Sequence, residues 1–269
     1  MFSVLVLTLN EETDLPLCLK SAATSEDIVV LDSGSTDRTV AIAESAGARV
    51  FSRPFDNFAG QRNFAHRTIP FKYPWIFHLD ADEQLTPELS LECAAAAGRA
   101  DIHGFYAAPR MLWRGRWIPH CTDFPAYQAR FARVPEFEFV EVGHGQREAP
   151  GTRMGHLRAN YLHELATGGE TEWLDKHRRY ARAEAQAHLS STESLGWSDL
   201  LSSNSLTRRR ALKRKSYALP GRPLLRFVYQ YLLRRGFLDG PAGFEYCRLL
   251  ARYEGFIAAE MKHLRGGQP

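Results

Sequence analysis

The run Trp75-Ile76-Phe77-His78-Leu79 passes directly into Asp80-Ala81-Asp82-Glu83. A mainly apolar run of this length suits a strand covered on both faces, the usual condition of a strand in a parallel sheet. The two aspartates, one small residue apart, then mark the point where the backbone leaves the sheet. There the side chains are no longer held to opposite faces and can converge on one cation. Carboxylate oxygens suit Mg²⁺ or Mn²⁺, which keep positions open for water and substrate phosphates. The carboxyl edge of an open α/β sheet is also where ligands bind. A local reading stands beside this one, because Asp-x-Asp can cap a helix. Thr86-Pro87 already offers a cap and a first-turn proline to the next helix, which leaves the aspartates free for other work.

The chain before this point alternates strands with helices. Phe2 to Thr8 is apolar and β-branched, and Asn10-Glu11-Glu12-Thr13 opens a helix carrying Leu15, Leu19 and Ala22. Asp27 to Leu31 reads as a second buried strand. After it come Asp32-Ser33-Gly34-Ser35-Thr36-Asp37, a helix from about Arg38 to Ala46 closed by Gly47, and a strand at Arg49 to Ser52. A helix is predicted from Gly60 to Arg67. This alternation predicts an α/β fold, Rossmann-like, with a mostly parallel sheet. No G-x-G-x-x-G follows the first strand, so the usual dinucleotide fingerprint is missing. Asp32 can accept from a ribose hydroxyl or a base N–H, while Ser35, Thr36 and Asp37 can cap the next helix; both readings can hold together.

From Gly104 the pattern changes. His103–Pro109, Trp113–Ile118, Tyr127–Arg133 and Phe137–Val142 read as short aromatic-bearing strands, a small antiparallel or mixed extension. Trp113, Trp117, Phe124 and Tyr127 either line a sugar cleft or belong to the core, and core is the expectation for at least two of them. Leu157 to His163 reads as a last strand. An amphipathic helix over Glu170 to His188 begins a helical C-terminal appendage.

The net charge is +3, but Leu206 to Arg235 holds ten Lys or Arg and no Asp or Glu. Pro223 to Arg235 reads as one helix with Leu224, Phe227, Val228, Tyr231 and Leu232 along one side. Such a helix either lies on an anionic membrane surface or packs that side on the rest of the protein. No nucleic-acid motif accompanies the charge, so no nucleic-acid partner is expected. The four cysteines are widely spaced and form no Cys-x-x-Cys pair. That predicts a reduced, cytoplasmic protein without a zinc site, peripheral on the inner face of the membrane if the tail binds lipid. The sequence opens directly on a strand, with no signal peptide expected, and no apolar run is long enough to span a bilayer.

Thr8-x-Asn10-Glu11-Glu12, Val30-Leu31-Asp32-Ser33-Gly34-Ser35-Thr36-Asp37, Gln61-Arg62-Asn63 and Leu79-Asp80-Ala81-Asp82-Glu83 together resemble the family-2 glycosyltransferases of the GT-A fold. The branch of bacterial lipopolysaccharide-core β-glucosyltransferases is the more similar one, through Gly115-Arg116-Trp117-Ile118, Tyr161-Leu162-His163 and Arg235-Gly236-Phe237-Leu238-Asp239-Gly240. The resemblance implies a GT-A catalytic domain over 1–165, with a nucleotide-sugar half at about 1–100 and an acceptor half at about 101–165. The helical basic region then spans 166–269. It further implies an inverting, hexosyltransferase-type enzyme that uses a nucleotide-sugar donor and a saccharide or lipid-linked saccharide acceptor in cell-envelope glycan synthesis.

By the same resemblance, Thr8, Asn10, Glu11 and Asp32 hold the nucleotide, and Gln61, Arg62 and Asn63 line the donor pocket, with Arg62 near the diphosphate. Asp82, assisted by Asp80, holds the divalent cation, and His163 after the last strand of the domain completes the set. His163 read without the resemblance is equally an ordinary histidine. Inverting transfer also needs a base to take the proton of the acceptor hydroxyl. Relatives carry a compact His-Glu pair, whereas this chain has the longer Val142-Gly143-His144-Gly145-Gln146-Arg147-Glu148. Glu148 is the first candidate, His144 the second and Asp123 the third. Leu9 stands where relatives carry a basic residue. Two other functions remain open at this point: a nucleotide-sugar-binding or scaffold protein without catalysis, and, ranked last for want of a Gly-rich triphosphate loop, nucleotidyl transfer.

Overall fold

The computed structural model describes residues 1–142, 145–190, 198–203, 205–217, 219 and 221–266. The chain divides into two compact units, one of residues 1–117 and 123–167, the other of residues 118–122 and 168–269.

The first unit opens as alternating strands and helices: β1 Ser3–Thr8, α1 Leu15–Ala22, β2 Ile28–Asp32, α2 Thr39–Ser45, β3 Arg49–Ser52, α3 Phe58–Thr68 and β4 Trp75–Asp80. The expected helix at Gly60 begins two residues earlier, because the Asn57 side chain accepts from the Gly60 amide at 2.6 Å and sets the cap. A two-residue strand β5, Glu83–Gln84, precedes α4, Pro87–Ala96, which Thr86 caps through the Leu89 amide as expected. Then follow β6 Gly104–Trp113, β7 Arg116–Trp117, β8 Gln128–Arg133, β9 Phe139–Val142, β10 Gly145–Glu148 and β11 Met154–Glu164. The strand expected at Trp113–Ile118 is replaced by the end of β6 and the short β7, joined through Arg114 and Gly115, both in left-handed conformation.

Among the described residues nine strands form one sheet, ordered β3-β2-β1-β4-β8-β6-β11-β5, with β7 paired to β6. β3, β2, β1 and β4 run parallel, β8 runs antiparallel to both β4 and β6, and β6 and β11 are parallel again. β9 and β10 form a separate antiparallel hairpin. The α/β class and the small antiparallel extension are thus observed. β4 is mainly apolar because both faces are covered. Phe77 and Leu79 join Val4, Val6 and Val30 beneath α1 and α4, whereas Ile76 joins Leu5, Val29 and Leu31 beneath Ala65 and Ile69. Of the four aromatics expected to be cleft or core, Trp113 alone is buried; Phe124 is half-buried, and Trp117 and Tyr127 are exposed.

The register aligns the functional edge. Thr8 pairs with Asp32, and Leu7 pairs with Asp80, so three of the expected site residues or their neighbours end their strands side by side.

In the second unit, α5 (Gly169–Ser190) and α8 (Gly240–Gly266) share a core in which Ala181 and Ala185 meet Ile257 and Met261. Alanines here let the two helices approach closely. The buried Asp239 carboxylate accepts from the His120 and Cys121 amides, at 3.0 and 2.9 Å, and from His120 Nδ1 at 2.6 Å. It thereby ties residues 118–122 to the start of α8. A Cβ at Gly243 would lie 2.3 Å from the Gly236 carbonyl, so this corner requires glycine. The helix α6, Ser205–Ser216, precedes it. The single helix expected over Pro223–Arg235 is not found: α7 spans Arg222–Val228, a π-helical turn spans Tyr229–Leu233, and a 3₁₀ turn follows at Gly236–Asp239.

Candidate active site

α3 crosses the face of β4 so that residues four apart on the helix meet residues two apart on the strand. Arg62 lies over Asp80, with Nη2 to Oδ1 at 2.8 Å, and His66 lies over His78, with the two Nε2 atoms 3.1 Å apart. From β8, Arg130 reaches the other Asp80 oxygen at 3.0 Å and Glu83 Oε1 at 2.6 Å, and donates to the Tyr161 hydroxyl at 3.2 Å. Arg130 is 3% exposed and Glu83 is fully buried. Asp80 therefore sits between two guanidiniums above a buried carboxylate. Burial alone would raise its carboxyl, but Arg130 and then Arg62 outweigh burial and hold it far below the usual range. Glu83 goes the other way: burial pushes it up to about 7 despite Arg130, with Asp80 adding to the rise. Burial likewise draws Arg62 down to about 10.

The short β5 positions the remaining metal candidates. Its Glu83 pairs with His163 of β11, which brings His163 Nε2 to 3.3 Å from Asp82 Oδ2 and Nδ1 to 3.6 Å from Glu83 Oε1. Burial would lower the imidazole, but the hydrogen bond to Asp82 and the charges of Asp82, Glu83 and Asp80 together outweigh it and push His163 up to about 9. One carboxylate oxygen and one imidazole nitrogen, both partly open to solvent, fit a cation that takes its other ligands from water and a diphosphate. Such a cation would need His163 without its proton. No group of three or more His, Cys, Asp or Glu able to hold a metal occurs among the described residues. Asp80 joins such a set only by giving up an arginine.

The nucleotide candidates build one loop pair. Asp32 is buried and accepts from Thr8 Oγ1 at 2.9 Å, the Gly34 and Ser35 amides at 2.9 and 2.8 Å, and Ser35 Oγ at 2.5 Å. Burial opposes its ionisation, and these donors together hold it below the ordinary value. Asn10, in left-handed backbone conformation, accepts from the Thr36 amide at 2.8 Å while its own amide donates to Ser35 Oγ at 2.8 Å. The Glu11 amide donates to Thr39 Oγ1 at 2.8 Å. The loops after β1 and β2 are thereby fixed to each other.

A cavity of about 540 Å³ opens beside Asp80, lined by Arg62, Arg130, Tyr106, Tyr127, His156 and Glu148 among others. Glu148 is carried by the β9–β10 hairpin, and Tyr106 donates to its Oε1 at 2.5 Å. Burial and then Glu148 push the Tyr106 phenol up to about 12. The structure thus brings Asp80, Arg62 and Glu148 to one cavity. It places Asn63 elsewhere: its amide pairs with Phe139 N and O at 2.9 and 2.8 Å and anchors the hairpin that bears Glu148. Gln61 is buried with its Nε2 near the Arg53 and Pro54 carbonyls, and its Oε1 has no partner. Asp123 is exposed and does not line the cavity. His144 lies outside the described residues.

Sequence reasoning missed Arg130, Tyr106 and His156. Arg130 carried a signal, since it alternates with Gln128 and Ala132 in a strand whose Phe131 is core. A cation at such a position needs a buried anion.

The carboxyl edge of the sheet thus gathers the joined loops after β1 and β2, an aspartate held by two arginines, and the Asp82–His163 pair. Residues 3–131, just under half of the chain, match the family model for glycosyl transferase family 2. An uncharacterized glycosyltransferase of Rickettsia bellii is 40% identical over 91 residues, 34% of this chain and 30% of that protein. The lipopolysaccharide core biosynthesis glycosyltransferase LpsC of Rhizobium meliloti is 40% identical over 116 residues, 40% of this chain and 42% of that protein. The chain therefore spans less than half the length of these curated relatives. The crystal structure of S. aureus TarS 1-349 in complex with UDP-GlcNAc aligns over 99% of this chain and 92% of that one, at 17% identity and a TM-score of 0.46.

Proposed function

We propose that the chain is an inverting glycosyltransferase that moves a sugar from a nucleoside-diphosphate donor to a hydroxyl of a saccharide or lipid-linked saccharide, in cell-envelope glycan synthesis of the lipopolysaccharide type. The observation that carries this reading is the shared cavity of Asp80, Arg62 and Glu148 at the carboxyl edge of the sheet. The lipopolysaccharide-core role of LpsC supports the envelope setting.

Thr8, Asn10, Glu11 and Asp32 shape the loops on which the nucleotide rests. Arg62, already paired with Asp80, is the cation that reaches the diphosphate. Asp82 and His163 would hold Mg²⁺ or Mn²⁺, which when bound would supply positive charge against the departing nucleoside diphosphate. Tyr106 orients Glu148 by donating to Oε1. The other oxygen takes the proton of the acceptor hydroxyl as that hydroxyl attacks the anomeric carbon. The bond from that carbon to the diphosphate oxygen breaks, and the electron pair leaves with the nucleoside diphosphate. Attack opposite the leaving group inverts the centre.

A donor and acceptor panel scored by released nucleoside diphosphate tests the reading. Glu148→Gln is expected to bind donor while transfer falls by about 10²- to 10⁴-fold. Unchanged transfer in that variant would remove Glu148 as the base.

A further inference from the structure

The second unit exposes a run of large apolar side chains that its own core does not use. α7 buries none of its residues, and the π turn after it buries only Gln230. The rings of this segment pack on one another: Phe227 and Tyr231, both half-buried, stack at 5.2 Å, and both meet Phe244 at 5.8 and 5.6 Å. Leu224, Leu225, Val228, Tyr229, Leu232 and Leu233 are left outside, with Leu224 at 66% and Leu233 at 73% exposure, and Phe237 and Leu238 continue the patch. Soluble surfaces scatter single apolar residues, and eight within fifteen positions are not such a scatter.

The charge around the patch is of one sign. From Leu206 to Leu238 the sequence carries no Asp or Glu, and Arg226 and Arg235 lie within the apolar run itself. The acids packed nearby are already engaged. Glu254 pairs with Arg222 at 2.8 Å, and the buried Asp239 pairs with His120 at 2.6 Å. A second protein would need acidic side chains presented around an apolar centre. A bilayer with anionic headgroups offers negative charge at the surface and hydrocarbon just beneath it, which is the arrangement this patch matches.

We propose that the Leu224–Leu238 corner is a membrane-docking surface that inserts its leucines into the acyl boundary of an anionic bilayer, with Arg226 and Arg235 at the headgroups. The sequence pattern placed the apolar side on Phe227 and Tyr231 as well. Across the break from α-helix to π turn those rings instead pack against Phe244, half-buried, and the leucine pairs are left exposed. Docking holds the protein where a lipid-linked acceptor lies, yet it does not depend on catalysis and can be tested without it.

The full chain is mixed with vesicles containing about a third phosphatidylglycerol, and separately with pure phosphatidylcholine vesicles, and the bound fraction is read by co-sedimentation. Binding to the anionic vesicles is expected, weakening as salt rises. Leu232→Ser with Leu233→Ser should lower the partition coefficient at least about tenfold, and Arg226→Gln with Arg235→Gln should abolish the preference for anionic vesicles. Both pairs of sites are surface positions, and unchanged thermal unfolding confirms that the variants are folded. No binding at low salt, or binding indifferent to the leucine pair, overturns the proposal. So does sedimentation showing a dimer that the leucine pair dissolves, which would assign the patch to a second copy of this chain.

Discussion

Arg130→Met removes the cation beneath the aspartate motif while keeping a side chain of similar length. In the native protein its guanidinium is shared by Asp80 and Glu83 at 3.0 and 2.6 Å, with 3% of it exposed. Breaking a buried pair by deleting one partner costs about 3–5 kcal/mol, because the remaining group must stay charged in a poor dielectric or take up a proton and give up its charged contacts. Arg62 still holds one Asp80 oxygen, so the cost falls mainly on Glu83, whose other partners are the Asp80 amide at 2.9 Å and His163. Spread over a unit of this size the loss corresponds to a fall of about 10 °C in melting temperature. Urea unfolding followed by circular dichroism gives the free-energy difference. Adding Glu83→Leu to Arg130→Met removes the stranded carboxylate and should recover at least half of the loss. A single-variant cost under about 1 kcal/mol, or a double variant no better than the single, would refute the view that this ion pair is a structural support for Asp80.

Three further outcomes follow from the geometry. Asn63→Ala deletes both amide bonds to Phe139 and should cost about 1–3 kcal/mol, with faster hydrogen exchange in the Phe139–Glu148 hairpin and lower transfer at unchanged donor affinity. Tyr106→Phe should lower turnover more than acceptor affinity, since the phenol orients Glu148; equal binding and turnover losses would make Tyr106 a ligand contact instead. His66, drawn by burial from 6.5 down to about 4, binds its proton first in the unfolded chain, so its stability contribution is present above 6.5 and is lost as pH falls toward 4. That amounts to about 2 kcal/mol at pH 5, and His66→Phe with His78→Leu should flatten the dependence seen in urea titrations between those limits.

The parallel half was legible because burial on both faces writes itself as an unbroken apolar run. β3 fell on Arg49–Ser52, and β1 and β4 lay within a residue or two of expectation. β10 was not legible, since Gly145-Gln146-Arg147-Glu148 is polar throughout and pairs only with β9 at the cavity rim. β5 was hidden by its length: two residues carry no period, yet their pairing with β11 is what brings His163 to Asp82. The aspartate motif announced a charged site, but not the arginines that hold it. Arg130 comes from a strand fifty residues later, and only the sheet order places it next to β4. Asn63 shows the opposite error. Its neighbour Arg62 faces the cavity, and one position further round the helix the amide meets the hairpin backbone instead.

The central claim is that the carboxyl edge of this sheet binds a nucleoside-diphosphate sugar with a divalent cation resting on Asp82 and His163. Thermal unfolding with a panel of nucleoside diphosphates and nucleotide sugars, with and without Mn²⁺ or Mg²⁺, on the native chain and on Asp82→Ala, tests it most directly. The account predicts that one nucleotide sugar raises the native melting temperature only when the cation is present, as a ligand of the folded state must, and that Asp82→Ala melts normally but loses this response. A native protein that no nucleotide stabilises, or an Asp82→Ala variant that responds in full, would contradict it.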